Sequence, residues 1–462
     1  MFSKESSAMR YFDGQQVANA RTAKRLWSLA FCAAVIASAP AGAAVTGAGQ
    51  DSLPAVYADF ASAYAGIGIP RFGPDYAENF RNIPSLDGIA KQFALFEKTR
   101  ARLQSIARSG LATEAGYQYD ALLYEIDLNL ERLNLEKAYR QVTVDAPPAE
   151  GGLYRVADGK RWYALYVRKT ASKEIAPEDL FRFGEAELDR ISAEIRTIQA
   201  ALGYAGKDRE FYRHLNDASF FSASAEDVQS RFLALREVIQ KLLPETFPTV
   251  NTPPLAIKAN PNPGKDSPPG YYTEETFFYT FFNHRFPARS SEWLFLHEAI
   301  PGHHYQQTYP ADALPAAGLF YYPAYLEGWG AYCEDLGRDL GLYVNPYLAL
   351  GKWEWDLVRS ARVVLDVGIH YKGWSRKQAL AYWRARVPGQ DEIAERELDR
   401  ITRWPAQAIS YKVGEKAFLD LRREFQKRHP GSTGAREFHA LVLKRGALPL
   451  SVLERVVHDA SH

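Results

Sequence analysis

Residues 297–304 of the chain read HEAIPGHH, a His-Glu pair followed after four residues by two histidines. In the HExxH metal-binding motif, histidines four residues apart lie on one helix face, so both imidazoles reach one metal ion while the glutamate contacts its water. Removing Pro301 and Gly302 would restore that spacing as His-Glu-Ala-Ile-His. We interpret the stretch as a variant of HExxH in which Glu298 is the general base.

Pro301 determines how this variant can fold. Proline has no N–H to donate to the carbonyl of His297, and its ring clashes with that carbonyl, so an unbroken helix costs roughly 3 kcal/mol. A bulge or a helix break after Ile300 relieves the clash and brings His303 to the face of His297. An unbroken helix would instead align His304, because seven residues make nearly two turns. The sequence favours His303 as the second metal ligand, with His304 as the alternative; a third possibility is that these are ordinary histidines of a helical core.

A third ligand is predicted in the segment EGWGAYCE, residues 327–334. Glu327 would complete a His2Glu set and leave a fourth position for water, as a catalytic zinc site requires. Glu334 lies seven residues later on nearly the same helix face, where it either orients a ligand histidine or exchanges roles with Glu327. The alternative is a solvated acidic helix face. Against it, the neighbouring Tyr325 and Trp329 make an unpaired carboxylate expensive to bury.

Arg362, Asp366 and His370 follow one another at four-residue steps on one predicted helix face. With this spacing Asp366 can orient His370 while Arg362 holds Asp366, and the positioned imidazole could then donate to an oxyanion. An ordinary ion-pair ladder on a helix surface is an equally good interpretation of these residues alone. Arg400 and Lys412 are candidates for binding a substrate carboxylate, as are other basic residues of the chain.

The motifs together resemble the domain of unknown function 885 family. The resemblance rests on HEAIPGHH, on EGWGAYCE, on RVVLDVGIH (362–370) and on PAQAISYK (405–412), and it extends over most of the chain after residue 43. That family is similar to the gluzincin zinc metallopeptidases. The resemblance implies a helical, exported zinc enzyme, favours the oxyanion role for His370, and adds Tyr411 as a second oxyanion donor.

The N-terminus has the succession of a cleaved signal peptide. Basic residues at 21, 24 and 25 precede an apolar run over 26–39, which ends in the small-residue sequence Ala-Gly-Ala at 41–43. The run is too short for a stable membrane span, and the bulky Phe31 before Cys32 argues against a lipid-attachment site. We predict a signal peptide over residues 1–43, a periplasmic or secreted mature protein, and no integral membrane span after cleavage.

The hydrophobic spacing predicts a mainly α fold with a minor β element, arranged as one large domain over residues 44–462. The family resemblance implies that this is a helical catalytic domain similar to those of the gluzincin peptidases. Helical periodicity runs through 44–145, and long helices are expected at about 179–202 and 225–243. The apolar run 162–167 is interpreted as a strand or hairpin, and the proline-rich stretch 244–270 as a loop. From residue 292 to about 456 the chain again has helical spacing.

These observations predict a zinc-dependent hydrolase that acts on peptide bonds. The 56 basic residues nearly balance the 55 acidic residues, which gives no support for a nucleic-acid partner. The alternatives are a metal-dependent enzyme acting on a small amide or a modified amino acid, and a non-catalytic exported binding protein of the same fold. Retention of Glu298 argues against the binding protein, because a module that only binds needs no base beside its ligands.

Overall fold

A computed structural model describes residues 52–67, 73–142, 151–265 and 267–461. The predicted signal peptide, residues 1–43, lies outside the described residues. The described residues form eighteen α-helices, which in chain order are α1 (Leu53–Ile67), α2 (Tyr76–Arg81), α3 (Leu86–Gln104), α4 (Thr113–Val142), α5 (Gly159–Ala171), α6 (Pro177–Ala201), α7 (Asp208–His214), α8 (Ala225–Thr246), α9 (Ser291–Glu298), α10 (His303–Thr308), α11 (Pro315–Leu319), α12 (Pro323–Asp339), α13 (Pro346–His370), α14 (Arg376–Arg386), α15 (Ala394–Arg403), α16 (Ser410–Gln426), α17 (Gly431–Leu443) and α18 (Leu450–Ser461).

The predicted fold class, mainly α with a minor β element, is confirmed. The two long helices expected in the first half of the chain are present as α6 and α8, and α6 begins at Pro177, a residue type that fits the first helical turn because its missing N–H is not needed there. None of the helices in the described part of the chain combines the length and the apolar composition needed to cross a membrane.

The β element is a three-stranded sheet of β1 (Ala256–Ala259), β2 (Gly270–Thr273) and β3 (Thr276–Tyr279). Its strand order is β1-β3-β2, with β1 parallel and β2 antiparallel to β3. Glu274 and Glu275 form the two-residue turn between β2 and β3, and both have positive φ, as the tight hairpin turn requires. The predicted loop 244–270 therefore holds one whole strand and the start of another. The sheet packs against α8 and α9, so it supports the helix that carries His297 and Glu298.

The prediction of a strand over residues 162–167 is wrong, because these residues lie in helix α5. A short continuous apolar run does not distinguish a buried strand from a buried helix. Five of its six side chains are buried, and α5 packs against α4, α12 and α16, so this part of the helix is enclosed on several sides and can be apolar throughout.

Helices α12 and α16 approach each other closely through two glycines. A Cβ on Gly328 would lie 2.3 Å from the Cα of Gly414, and a Cβ on Gly414 would lie 1.9 Å from the carbonyl oxygen of Ala324. Any side chain at either position would therefore push the helices apart. This contact brings the segment with Glu327 on α12 next to the start of α16, where Tyr411 lies.

Candidate metal centre

The HEAIPGHH stretch is divided between two helices, as the presence of Pro301 predicts. Helix α9 ends at Glu298 and α10 begins at His303, so the break starts two residues before the predicted position after Ile300. A Cβ on Gly302 would lie 1.9 Å from the carbonyl oxygen of His297, so only glycine lets the chain turn back against the end of α9. Trp329 of α12 fixes the turn, because its Nε1 donates to the Pro301 carbonyl oxygen at 2.9 Å.

The turn brings His297, His303 and Glu327 together, with ligand atoms that all lie within 4.8 Å of one another. Glu327 Oε2 lies 3.6 Å from Nε2 of His297 and 3.6 Å from Nε2 of His303. Two ligand atoms on one tetrahedral zinc, with bonds of about 2.0–2.2 Å, lie about 3.3–3.6 Å apart. The donor types, and the distances from Glu327 to both histidines, therefore fit a zinc ion. The two imidazole rings are nearly perpendicular, with centroids 4.8 Å apart.

His304, the alternative ligand, faces away from this group. Its Nδ1 lies 3.2 Å from the hydroxyl of Tyr272 on β2, and its Nε2 lies 3.0 Å from the carbonyl oxygen of Pro253. Burial lowers the pKa of His304, which favours the neutral ring. The helix break therefore assigns the two adjacent histidines to different tasks: His303 joins the metal-binding group, and His304 fastens α10 to the sheet.

A buried ion pair orients His297. Glu334 Oε1 lies 2.7 Å from Nδ1 of His297, and Arg359 Nη1 donates to both oxygens of Glu334 at 2.6 Å. Because the carboxylate accepts a hydrogen bond from Nδ1–H, the tautomer that fits leaves the Nε2 lone pair facing His303 and Glu327. The ring also rests against Gly330, where a Cβ would come within 2.6 Å of it.

The group holds more negative than positive charge around its centre. Burial by itself lowers the pKa of His297, but the carboxylates of Glu327 and Glu334 outweigh burial and raise that pKa to about 9. Burial raises the pKa of Glu327, yet its contacts with the two histidines bring that pKa below its usual range. Both shifts show that the space between these side chains stabilises a positive charge, which a proton or a metal cation can provide.

Glu298 lies beside the group without belonging to it. Burial raises the pKa of its carboxyl, while the nearby rings of His297 and His303 act in the opposite direction. A carboxyl that interacts electrostatically with both histidines, but lies outside the set whose ligand atoms converge, is compatible with a general base.

Two tyrosines border the group on the side of Glu327. The ring centroid of Tyr411 lies 6.1 Å from that of His297, and burial and Glu327 both raise the pKa of its hydroxyl, which therefore remains a proton donor. Tyr321 is 40% exposed as a whole residue, but its hydroxyl is enclosed: burial raises the pKa of this hydroxyl, and Glu327 and Tyr411 add to the increase. The sequence predicted Tyr411 but not Tyr321, which belongs to no motif and whose position only the fold reveals.

The predicted contacts among Arg362, Asp366 and His370 are wrong. Arg362 makes a bidentate pair with Glu397 at 2.8 and 2.9 Å. Asp366 instead accepts a hydrogen bond from the Tyr163 hydroxyl at 2.6 Å. Burial raises the pKa of Asp366 to about 7. The three side chains share a helix face, but each one finds its partner on another element.

His370 is held by the main chain on both sides of its ring. Its Nδ1 accepts from the backbone N–H of Leu153 at 3.0 Å, and its Nε2 lies 2.9 Å from the carbonyl oxygen of Ile401. Burial lowers its pKa to about 4, so the ring is neutral. His370 therefore connects Leu153, in the segment before α5, to Ile401 on α15. Because both ring nitrogens are occupied by these contacts, His370 has none left for the predicted contact with an oxyanion.

Lys412 is also placed differently from the prediction. It is buried, and its Nζ lies 2.6 Å from Asp356 Oδ1 and 3.0 Å from Glu187 Oε2, with Glu415 as a further partner. An ammonium surrounded by three carboxylates is a structural ion-pair centre and is not available for a substrate carboxylate.

Arg359 is a residue of the candidate site that sequence reasoning missed. It lies three residues before Arg362 on the same helix, and it, rather than Arg362, reaches the metal-binding group through Glu334. Its signal in the sequence is weak, because a run of charged residues on a helix face gives no information about which of them faces the motif helix.

Comparison with known proteins gives a family but no activity. The model of the DUF885 family, described as bacterial proteins of unknown function, matches residues 133–457. Two solved structures are similar to this chain. "The putative lipoprotein from Colwellia psychrerythraea" is 25% identical, with a TM-score of 0.62, and the match covers 87% of this chain and 72% of that one. "A putative lipoprotein of unknown function from Shewanella oneidensis" is 20% identical, with a TM-score of 0.56, and the match covers 88% of both chains. No curated protein matches. The chain belongs to the DUF885 family of bacterial proteins of unknown function.

Proposed function

We propose that this chain is an exported zinc-dependent hydrolase that cleaves peptide bonds. The observation that carries the proposal is the convergence of His297 Nε2, His303 Nε2 and Glu327 Oε2, with Glu298 next to them. Two histidines and one carboxylate are the ligand set of catalytic zinc in peptidases, whereas structural zinc sites have four protein ligands. The side chain of Glu327 is 21% exposed, which leaves room for substrate on that side.

Zinc held by these residues would supply a Lewis acid that polarises the substrate carbonyl and increases the acidity of water. Glu298 accepts a proton from the attacking water, whose oxygen bonds to the carbonyl carbon. Tyr411 donates its hydroxyl proton in a hydrogen bond to the oxyanion that develops. When the C–N bond breaks, Glu298 returns the proton to the leaving amine. Throughout, Glu334 and Arg359 hold His297 in one tautomer.

A digest of a peptide library tests this proposal. The purified mature protein, loaded with zinc, is expected to cleave peptides in the library, with the products read by mass spectrometry. A chelator that removes zinc should abolish cleavage, and zinc added back should restore it, because no other group in the site can replace the Lewis acid. The peptide-bond proposal is wrong if the zinc-loaded protein leaves all peptides intact but hydrolyses small amides or modified amino acids. The protein would then belong to the alternative class of metal-dependent enzymes that act on such small substrates.

Export is the second part of the proposal. It is supported by the basic, apolar and small-residue succession before residue 44 and by the description of the similar Colwellia protein as a "putative lipoprotein". We expect the mature protein to begin near Ala44, and N-terminal sequencing together with intact mass would measure this. A lipid-modified N-terminus at Cys32 would mean export by the lipoprotein route, and a protein that keeps residues 26–39 unmodified would contradict cleavage.

A further inference from the structure

Three arginines gather around one carboxylate next to the proposed metal centre. Glu397 receives the bidentate pair from Arg362, and Arg396 donates to the same carboxylate, Nη2 to Oε1, at 3.0 Å. Arg400 lies one turn further along α15 and also contributes electrostatically to the lowered pKa of Glu397. We call Arg362, Arg396, Arg400 and Glu397 the arginine cluster.

The arginine cluster holds three guanidinium groups and one carboxylate. Arg400 also donates from Nη2 to Gln407 Oε1 at 2.7 Å and interacts electrostatically with Glu327. Arg362 is buried, and burial lowers its pKa; Glu397 acts in the opposite direction, and the neighbouring Arg400 adds a smaller lowering effect. Such an arrangement is costly for the free protein and gains stability when another anion binds. Arginine is suited to this task because its planar fork matches the two oxygens of a carboxylate.

Tyr411 connects the arginine cluster to the metal centre. Its ring lies beside His297, and Nη2 of Arg400 lies 3.4 Å from its hydroxyl oxygen. The guanidinium carbon of Arg362 lies 5.9 Å from the centre of the same ring. Arg400 is also within electrostatic reach of Glu327. One extended residue spans about 3.3–3.6 Å. Tyr411 separates the metal centre from Arg400, so a substrate peptide needs about one to three residues to extend from one to the other.

Resting on the proposed hydrolase function, we propose that Arg400 and the arginine cluster bind a carboxylate of the substrate one to three residues beyond the cleaved bond. A free C-terminus supplies that carboxylate in any peptide, and an acidic side chain at the same distance has the same chemistry. The enzyme therefore removes short fragments from the C-terminal end of its substrates, or cleaves shortly before an acidic residue.

Matched peptides test this inference and separate the two sources. One peptide is prepared with a free C-terminus, with a C-terminal amide, and as the amide with glutamate in place of glutamine near the C-terminus. For the wild type we expect kcat/KM to be about 10- to 100-fold higher for a carboxylate-bearing form than for the neutral amide, as a charge-assisted hydrogen bond provides. In Arg400→Gln the ratio should fall to near one. Arg403→Gln is the control, because Arg403 lies on the same helix but pairs with Asp75, and it should keep the wild-type ratio.

The outcomes distinguish this inference from the proposed function. Cleavage of all three peptides at equal rates overturns the role of the arginine cluster and leaves the hydrolase intact. Preference for the free C-terminus or for the glutamate amide identifies the source of the carboxylate. If the wild type cleaves no peptide, calorimetric titration of the zinc-loaded protein decides: tighter binding of the carboxylate forms, lost in Arg400→Gln, supports the inference, and equal binding of all forms overturns it.

Discussion

Replacement of Glu298 by glutamine is expected to reduce kcat by about 10²–10⁴-fold, the usual contribution of a general base. Glutamine keeps the shape of the side chain and can still hydrogen-bond water, but it cannot accept the proton. The metal content of Glu298→Gln should remain at the wild-type level, because Glu298 lies outside the set of converging ligand atoms. Kinetics on a peptide that the wild type cleaves, with zinc measured in the same preparation, give both numbers.

Glu292→Gln is the matched control for that experiment. Glu292 lies in the first turn of the same helix α9 and pairs with Arg231, away from the metal centre. Its replacement tests for a general effect of removing a carboxylate from α9, and we expect little change in kcat. If Glu298→Gln keeps most of its activity, Glu298 is not the base. If Glu298→Gln loses its zinc, Glu298 is a ligand and the relation to HExxH fails.

Replacement of any of the three proposed zinc ligands is expected to remove the metal. His297→Ala, His303→Ala and Glu327→Ala should each abolish stable zinc binding, since a site with three protein ligands is left with two. Loss of a hydrogen-bond partner of a ligand costs about 10- to 100-fold in metal affinity, and loss of a ligand should cost more. The side chain of Glu327 is 21% exposed, whereas those of His297 and His303 are only 4% and 11% exposed, so folding has to be measured in each variant. Circular dichroism would check that the variants are folded.

The helix break at Pro301 could be predicted because its cause is local. A proline three residues or more inside a helix clashes with the preceding turn whatever surrounds it, and the glycine that follows permits the sharp return of the chain. The same reasoning selected His303 over His304, and the structure brings His303 to His297. Where covalent geometry decides, the sequence is sufficient.

The failure at Arg362, Asp366 and His370 has the opposite cause. Spacing correctly placed the three residues on one helix, but their partners come from α5, from the segment before it and from α15. Which partner a buried polar group takes depends on how distant elements pack, and helix periodicity contains no information about that. The same limit explains why Arg359 was missed and why Lys412 was assigned to substrate.

The error at residues 162–167 shows a further limit of periodicity. A continuous apolar run is expected both in a buried strand and in a helix that other helices surround. The true strands lie near the proline-rich stretch, where their four-residue length and the intervening turns gave too little alternation to detect.

The assignment of His303 as a zinc ligand is tested by zinc analysis of three purified proteins: the wild type, His303→Ala and His304→Ala. The two histidines are adjacent and chemically identical, so each variant is the control for the other. We expect about one zinc per chain in the wild type and in His304→Ala, and none in His303→Ala. Zinc retained by His303→Ala and lost from His304→Ala, or a wild type that binds no zinc at all, would contradict the metal centre described here.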